Sequence, residues 1–167
     1  MAAAMPISLF CNFRNIYLPV KENLFMKAEI IARKPPVTAT PEARIKDVAR
    51  IMAEKRIGLV VVVDKAQPDV VIGVVSERDI IKAVANNVDT NLPVKEIMSS
   101  PVITVEGDEP IWNVAKIMRQ HNIRHVVVTK GGKLFGVISI RDLVSEESIL
   151  KSLVEYGVPE EHRPSAD

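Results

Sequence analysis

The stretch Gly73-Val74-Val75-Ser76-Glu77-Arg78-Asp79 returns downstream as Gly136-Val137-Ile138-Ser139-Ile140-Arg141-Asp142. Each copy reads as the end of a buried strand running into a helix. A glycine opens the strand's last turn and β-branched residues fill it. A serine then stands where a helix N-cap falls, with an aspartate three residues on. That geometry aims backbone N–H groups, a hydroxyl and a carboxylate into one crevice. The rest of the chain is ordered around the two copies.

Upstream of the first copy, Ile45, Val48, Ala49 and Met52 follow the spacing of one helix face. Thr40-Pro41-Glu42 offers that helix an N-cap with proline at its first position. Leu59-Val60-Val61-Val62-Val63 is too short and too β-branched for a helix and reads as a strand buried on both faces. Asp64 to Asp69 turns the chain, Val70 to Val75 is the next strand, and Glu77 to Ala85 is a helix that Asn86-Asn87 ends. After Asn91-Leu92-Pro93 the order restarts. Val102 to Val105 is a short strand behind Pro101, and Ile111, Val114, Ala115 and Met118 repeat the helix face. Arg124 to Thr129 is a strand, Gly131-Gly132 a tight hairpin turn, and Leu134 to Ile138 the partner strand. A helix from Ile140 runs towards Val154. Identical residues fall in register in both halves, including Val48/Val114, Ile51/Ile117, Met52/Met118 and the three valines that follow each of Ile57 and Ile123. A duplicated unit of this size, too small to close its own core, is expected to pack against its twin.

Composition bounds the function. Among 167 residues, 22 Lys and Arg balance 21 Asp and Glu, which disfavours nucleic acid as a partner. Aromatics are too scarce for base-stacking platforms. The single Cys11 cannot form an internal disulfide, consistent with a reducing, cytoplasmic setting. The apolar run Ala2 to Cys11 is broken by Pro6 and Ser8, lacks a basic start and is too short to span a bilayer. Residues 1–25 therefore read as an extension outside the main fold, as an upstream start would add; 26–92 and 93–154 are the two repeats, and 155–167 is a loose, charged tail.

The paired G-h-h-S-x-x-D ends, the Pro-led strands Pro36-Val37-Thr38 and Pro101-Val102-Ile103-Thr104, the matched helices and the valine strands together resemble a tandem pair of CBS (cystathionine beta-synthase) domains, a Bateman module, over about Ile30 to Val144. The resemblance implies an α+β fold of two β-α-β-β-α repeats packed about a pseudo-twofold axis. It also implies a regulatory module that binds AMP, ADP, ATP or S-adenosylmethionine in two clefts between the repeats. In that family the motif's aspartate accepts hydrogen bonds from a ribose diol, a role falling here to Asp79 and Asp142. The hydroxyl near the ribose or phosphates maps to Ser76 and Ser139. Two modules pairing into a flat homodimer is a further implication. The alternative reading is a ligand-free interaction subunit that docks a larger enzyme or transporter. The resemblance implies an adenine nucleotide as the regulatory ligand and no required cofactor.

Side-chain chemistry agrees with these roles. A carboxylate suits two adjacent hydroxyls, a helix N-terminus suits an anion, and Arg78 and Arg141 supply cations. Val37-Thr38 and Val102-Ile103-Thr104 are candidates for an apolar adenine slot. The repeats differ at Arg124-His125, matched by Gly58-Leu59. The cleft using Asp79 with Arg124 and His125 is therefore expected to take a phosphorylated nucleotide, and the Asp142 cleft a less charged adenosine compound. Against these readings, Ser76 with Asp79 is also an ordinary capping box, worth about 1 kcal/mol for the cap alone. His121 and His125, four apart, are divided by the end of a helix and do not suit a metal. Met52 and Met118 read as core, and Trp112 lies beside the core stripe rather than on it. No nucleophile elbow, phosphate loop or paired catalytic acids is present in the sequence, so no enzymatic activity is expected.

Overall fold

The computed structural model describes residues 26–144. The expected extension 1–25, the tail, and any continuation of the last helix towards Val154 lie outside them. The described elements are α1 (Ala28–Ile31), β1 (Thr38–Ala39), α2 (Ile45–Lys55), β2 (Leu59–Val63), β3 (Val71–Ser76), α3 (Glu77–Ala85), a 3₁₀ turn (Val94–Glu96), β4 (Thr104–Glu106), α4 (Ile111–Gln120), β5 (His125–Lys130), β6 (Lys133–Ser139) and α5 (Ile140–Leu143). They build two three-stranded sheets, ordered β1-β2-β3 and β4-β5-β6. In each, the first pair is parallel and the second antiparallel. The α+β architecture of two like repeats is thus the observed one. No helix among the described residues is long and apolar enough to cross a membrane.

The valine strands serve two cores at once, because alternate side chains of a strand face opposite ways. Val60 and Val62 pack with Ile45, Val48, Met52 and Val75 under the helices of the first repeat. Val126 and Val128 pack with Val114, Met118 and Ile138 under those of the second. Between the repeats, Val61 and Val63 meet Val127 in a third core, flanked by Leu59, Val74 and Val137. The helix faces are those the spacing predicts, except that Ala115 is exposed and Ile117 turns inward. Trp112 is 54% exposed, beside the stripe.

Lead-in segments are exchanged between the repeats. Ala28 and Ala32 are buried in the second repeat's core, and Val94 in the first's. Arg33 pairs through its backbone with Val137, as Ser99 does with Val74. Both motif glycines lie inside strands, where they give these segments room. A Cβ on Gly73 would fall 2.5 Å from the Met98 sulfur, and one on Gly136 would fall 2.9 Å from the Arg33 carbonyl. Each strand also shifts register beside its glycine, between Val62 and Val63 and between Val128 and Thr129.

The same exchange corrects three local expectations. Thr40 and Pro41 do not start α2; its N-cap is Arg44, with no side-chain cap. The Pro41 and Ala43 carbonyls instead accept hydrogen bonds from the N–H groups of Lys95 (3.2 Å) and Val94 (2.7 Å), and the first N–H of α2, that of Ile45, donates to the Leu92 carbonyl in the segment leading into the second repeat. β4 begins at Thr104 rather than Val102, since Val102 and Ile103 cross between the repeats before pairing starts. By strand register Thr38 corresponds to Thr104, so Pro101 matches Pro35 rather than Pro36. Both of these prolines follow cis peptide bonds.

Candidate functional site

Each serine of the repeated motif caps its helix in a full capping box. At α3, Asp79 Oδ2 accepts from the Ser76 N–H (2.8 Å) and from the Ser76 hydroxyl (2.6 Å). At α5, Asp142 Oδ2 accepts from the Ser139 N–H (2.7 Å) and hydroxyl (2.6 Å). The first helical N–H of each helix is fixed to the start of the neighbouring strand, Glu77 to the Gly58 carbonyl (3.1 Å) and Ile140 to the Arg124 carbonyl (2.8 Å). The capping reading is therefore correct, and it leaves Oδ1 of each aspartate as the oxygen for anything else.

A cleft of about 410 Å³ lies over Asp79. It brings together Ser76, Arg78, Asp79, Val102, Ile103, Arg124 and His125, all marked out by the sequence. Pro101, Ile123, Leu59, Val74 and Val127 complete an apolar wall, while Lys82, His121 and Glu77 add charged and polar groups. Such a mainly apolar cleft with a few converging polar groups is what a small organic ligand requires. Among the described residues, Asp79 Oδ1 has no hydrogen-bond partner within the protein. Lys82 was missed by motif reading, although its place one turn beyond Arg78 and Asp79 puts it on their face of α3.

The second cleft, about 260 Å³, is lined by Val37, Ser139, Arg141 and Asp142 together with Arg124 and His125. Two expectations change here. Thr38 and Thr104 line neither cleft. Each is an exposed residue at the start of a paired strand, past the point where the lead-in segment has crossed the cleft. Arg124 and His125 do not separate the clefts either, for they stand on a wall common to both with Gly58, Leu59 and Glu77. Nor is the Asp142 cleft the less basic one, since Arg33, Arg56, Arg124 and Arg141 all line it.

His125 sits at the centre of that common wall. Its ring lies over Gly58, where a Cβ would come within 2.8 Å, so the first repeat's glycine makes room for the second repeat's histidine. Burial pushes the imidazole below its ordinary 6.5; Glu77 opposes this, Arg141 adds to it, Asp142 opposes and Arg124 adds. His125 is thus the neutral hydrogen-bonding group of the wall near pH 7. Among the described residues no group of three or more His, Cys, Asp or Glu side chains is placed to hold a metal ion.

Arg33 reaches Asp142 across the exchanged segment. Its Nε donates to Asp142 Oδ1 at 2.7 Å and its Nη2 lies 2.6 Å from the same oxygen. Burial works against ionisation of Asp142, but hydrogen bonds from the Ser139 hydroxyl and N–H and from Arg33 outweigh it and hold the carboxyl below 3.8. No local signal could have found this pair, 109 residues apart in sequence.

Two like repeats, exchanged lead-in segments and a capped aspartate in each of two facing clefts define a paired-repeat ligand-cleft module. The CBS domain profile matches residues 27–86 and 94–148, and the chain belongs to that family as a tandem pair. A CBS domain protein from Pyrobaculum aerophilum, solved in complex with AMP, superposes with a TM-score of 0.71 at 43% identity, covering 78% of this chain and 99% of that one. The CBS domain pair of protein MJ0100, in complex with 5′-methylthioadenosine and S-adenosyl-L-methionine, gives 0.66 at 30% identity over 72% of this chain and 94% of that one. An uncharacterized 17.7 kDa protein of Acidianus ambivalens is 34% identical over 81% of this chain and 80% of its own length. The chain spans 64% and 42% of two longer relatives, from Methanopyrus kandleri and Thermofilum pendens.

Proposed function

We propose that this chain is a non-catalytic regulatory module that binds an adenosine-containing ligand in the cleft over Asp79. The observation that carries the reading is the arrangement of that carboxylate, which lines the cleft: one oxygen is held by the Ser76 cap and the other has no partner among the described residues. An oxygen so placed is an acceptor for a ribose diol. Arg78, Lys82 and Arg124 suit a phosphate, and the apolar surface of Pro101, Val102, Ile103 and Ile123 suits adenine. The ligands of the two solved CBS pairs, AMP in one and methylthioadenosine with S-adenosylmethionine in the other, support the class. AMP is the member that best uses three nearby cations. Regulation follows if the ligand binds one arrangement of the module, or of the homodimer or larger target it joins, more tightly than another.

Calorimetric titration with AMP tests the reading. Asp79→Asn keeps the size of the side chain and an acceptor for the Ser76 N–H but removes the charge, and is expected to weaken AMP by about tenfold or more, the scale of a hydrogen bond to a charged group. An Asp79→Asn protein that binds AMP as the wild type does would return the motif to a helix cap. No binding of any adenosine compound by the folded wild type would leave an interaction subunit with empty clefts as the better account.

A further inference from the structure

The two clefts differ at one pair of equivalent positions that neither the motif nor the charge balance points to. Arg33 and Ser99 make matching backbone pairs, with Val137 and Val74 respectively, and each lines the same cleft as one motif aspartate, Asp142 and Asp79 respectively. Only Arg33 carries a cation, and it occupies Asp142 Oδ1 through both Nε and Nη2. With Ser139 on the other oxygen, each Asp142 oxygen already accepts two hydrogen-bonding or charged partners. Asp79 lines its cleft, and the corresponding oxygen has no such partner among the described residues. The arginine side chain is 65% exposed while the carboxylate is 10% exposed, so the guanidinium is the partner free to swing away.

We propose that Arg33 is a specificity-determining residue of the Asp142 cleft, closing it to uncharged adenosine compounds and admitting those that carry a phosphate. The proposal rests on the adenosine reading of the clefts. A ribose diol has to displace the guanidinium from Asp142 Oδ1. An uncharged ligand offers that guanidinium nothing in return, and it loses a charge-assisted bond for water. A phosphorylated ligand supplies a new anion in a cleft that Arg56, Arg124 and Arg141 also line, and the displaced Arg33 pairs with it. The Asp79 cleft, with Ser99 in place of the arginine, carries no such filter.

The experiment is calorimetric titration with AMP and with adenosine in an Asp79→Asn background, which leaves the Asp142 cleft to be read, followed by the same titrations after Arg33→Ser, the residue its twin position carries. The expected result is AMP favoured over adenosine by about tenfold or more before the second change, and a ratio reduced at least about fivefold after it, chiefly through tighter adenosine. An unchanged ratio, or no binding in this background with or without Arg33, while the wild type binds AMP, overturns the proposal and leaves the adenosine reading standing. A folded wild type that binds neither compound removes both. Thermal unfolding of the Arg33→Ser protein checks that its exposed side chain is not needed for folding.

Discussion

His125 stands where the clefts meet, and its environment gives the module a pH dependence. The unfolded imidazole takes its proton near 6.5, whereas the folded one, desolvated over Gly58 and next to Arg124 and Arg141 as well as Glu77 and Asp142, takes it only at lower pH. The folded state therefore binds fewer protons in that window. Its full stability is present above 6.5 and is lost as pH falls from there through the folded value. Urea-unfolding midpoints of the wild type between pH 7.5 and 5.5 are expected to fall, and those of His125→Leu, the residue at the twin position, to fall less. Parallel curves for the two proteins would show that the histidine is not the group responsible. Asp142 acts in the same sense in a lower window: its folded value lies below 3.8, so its contribution is fully present above 3.8 and is lost as pH falls from there through the depressed folded value.

The helix start is the element on which capping and binding coincide. Ser76 closes α3 and Ser139 closes α5 with the same four-atom arrangement, the hydroxyl and N–H of the serine against the aspartate. Ser76→Ala and Ser139→Ala are each expected to cost about 1 kcal/mol, read as a lower urea midpoint at unchanged slope. A cost near zero at either position would mean that water replaces the hydroxyl there. α2 and α4 start differently. Neither has a side-chain cap, and their first N–H groups are met by carbonyls of the crossing segments, Ile45 by Leu92 and Ile111 by Met26. A sequence reader finds serine caps because the cap is local. The Leu92 and Met26 partners come from the other lead-in segment, which is why Thr40 and Pro41 read as a helix start while the Pro41 carbonyl meets the second repeat's lead-in segment at Lys95 instead.

For the whole molecule, the exchanged segments and the shared valine core mean that neither repeat is complete alone. Residues 26–92 by themselves would lack Val94, buried with the first repeat's helices, and would expose Val61 and Val63. Burial of each such side chain contributes about 1.5–3 kcal/mol, and a small domain has only about 5–15 kcal/mol in all. The excised piece 26–92 is expected to show no cooperative thermal transition by circular dichroism, while residues 26–144 unfold in one. A sharp, reversible transition in the short piece would mean that the exchange is not needed for folding.

The repeat, the α+β class, the two-faced valine strands and the capped aspartates were all legible from residues, because periodicity, β-branching and capping act over a few positions along the chain. Seven of the residues marked out for binding, among them Asp79, Arg124 and Val102, meet in one cleft, since duplication implies that twin motifs face each other. What only the tertiary structure decided is which neighbour each motif acquires: Gly73 and Gly136 admit crossing segments, Arg124 and His125 serve both clefts, and Arg33 occupies one aspartate while Ser99 leaves the other open. These are contacts between distant positions, set by how two nearly identical units cross over one another, and no local pattern encodes them.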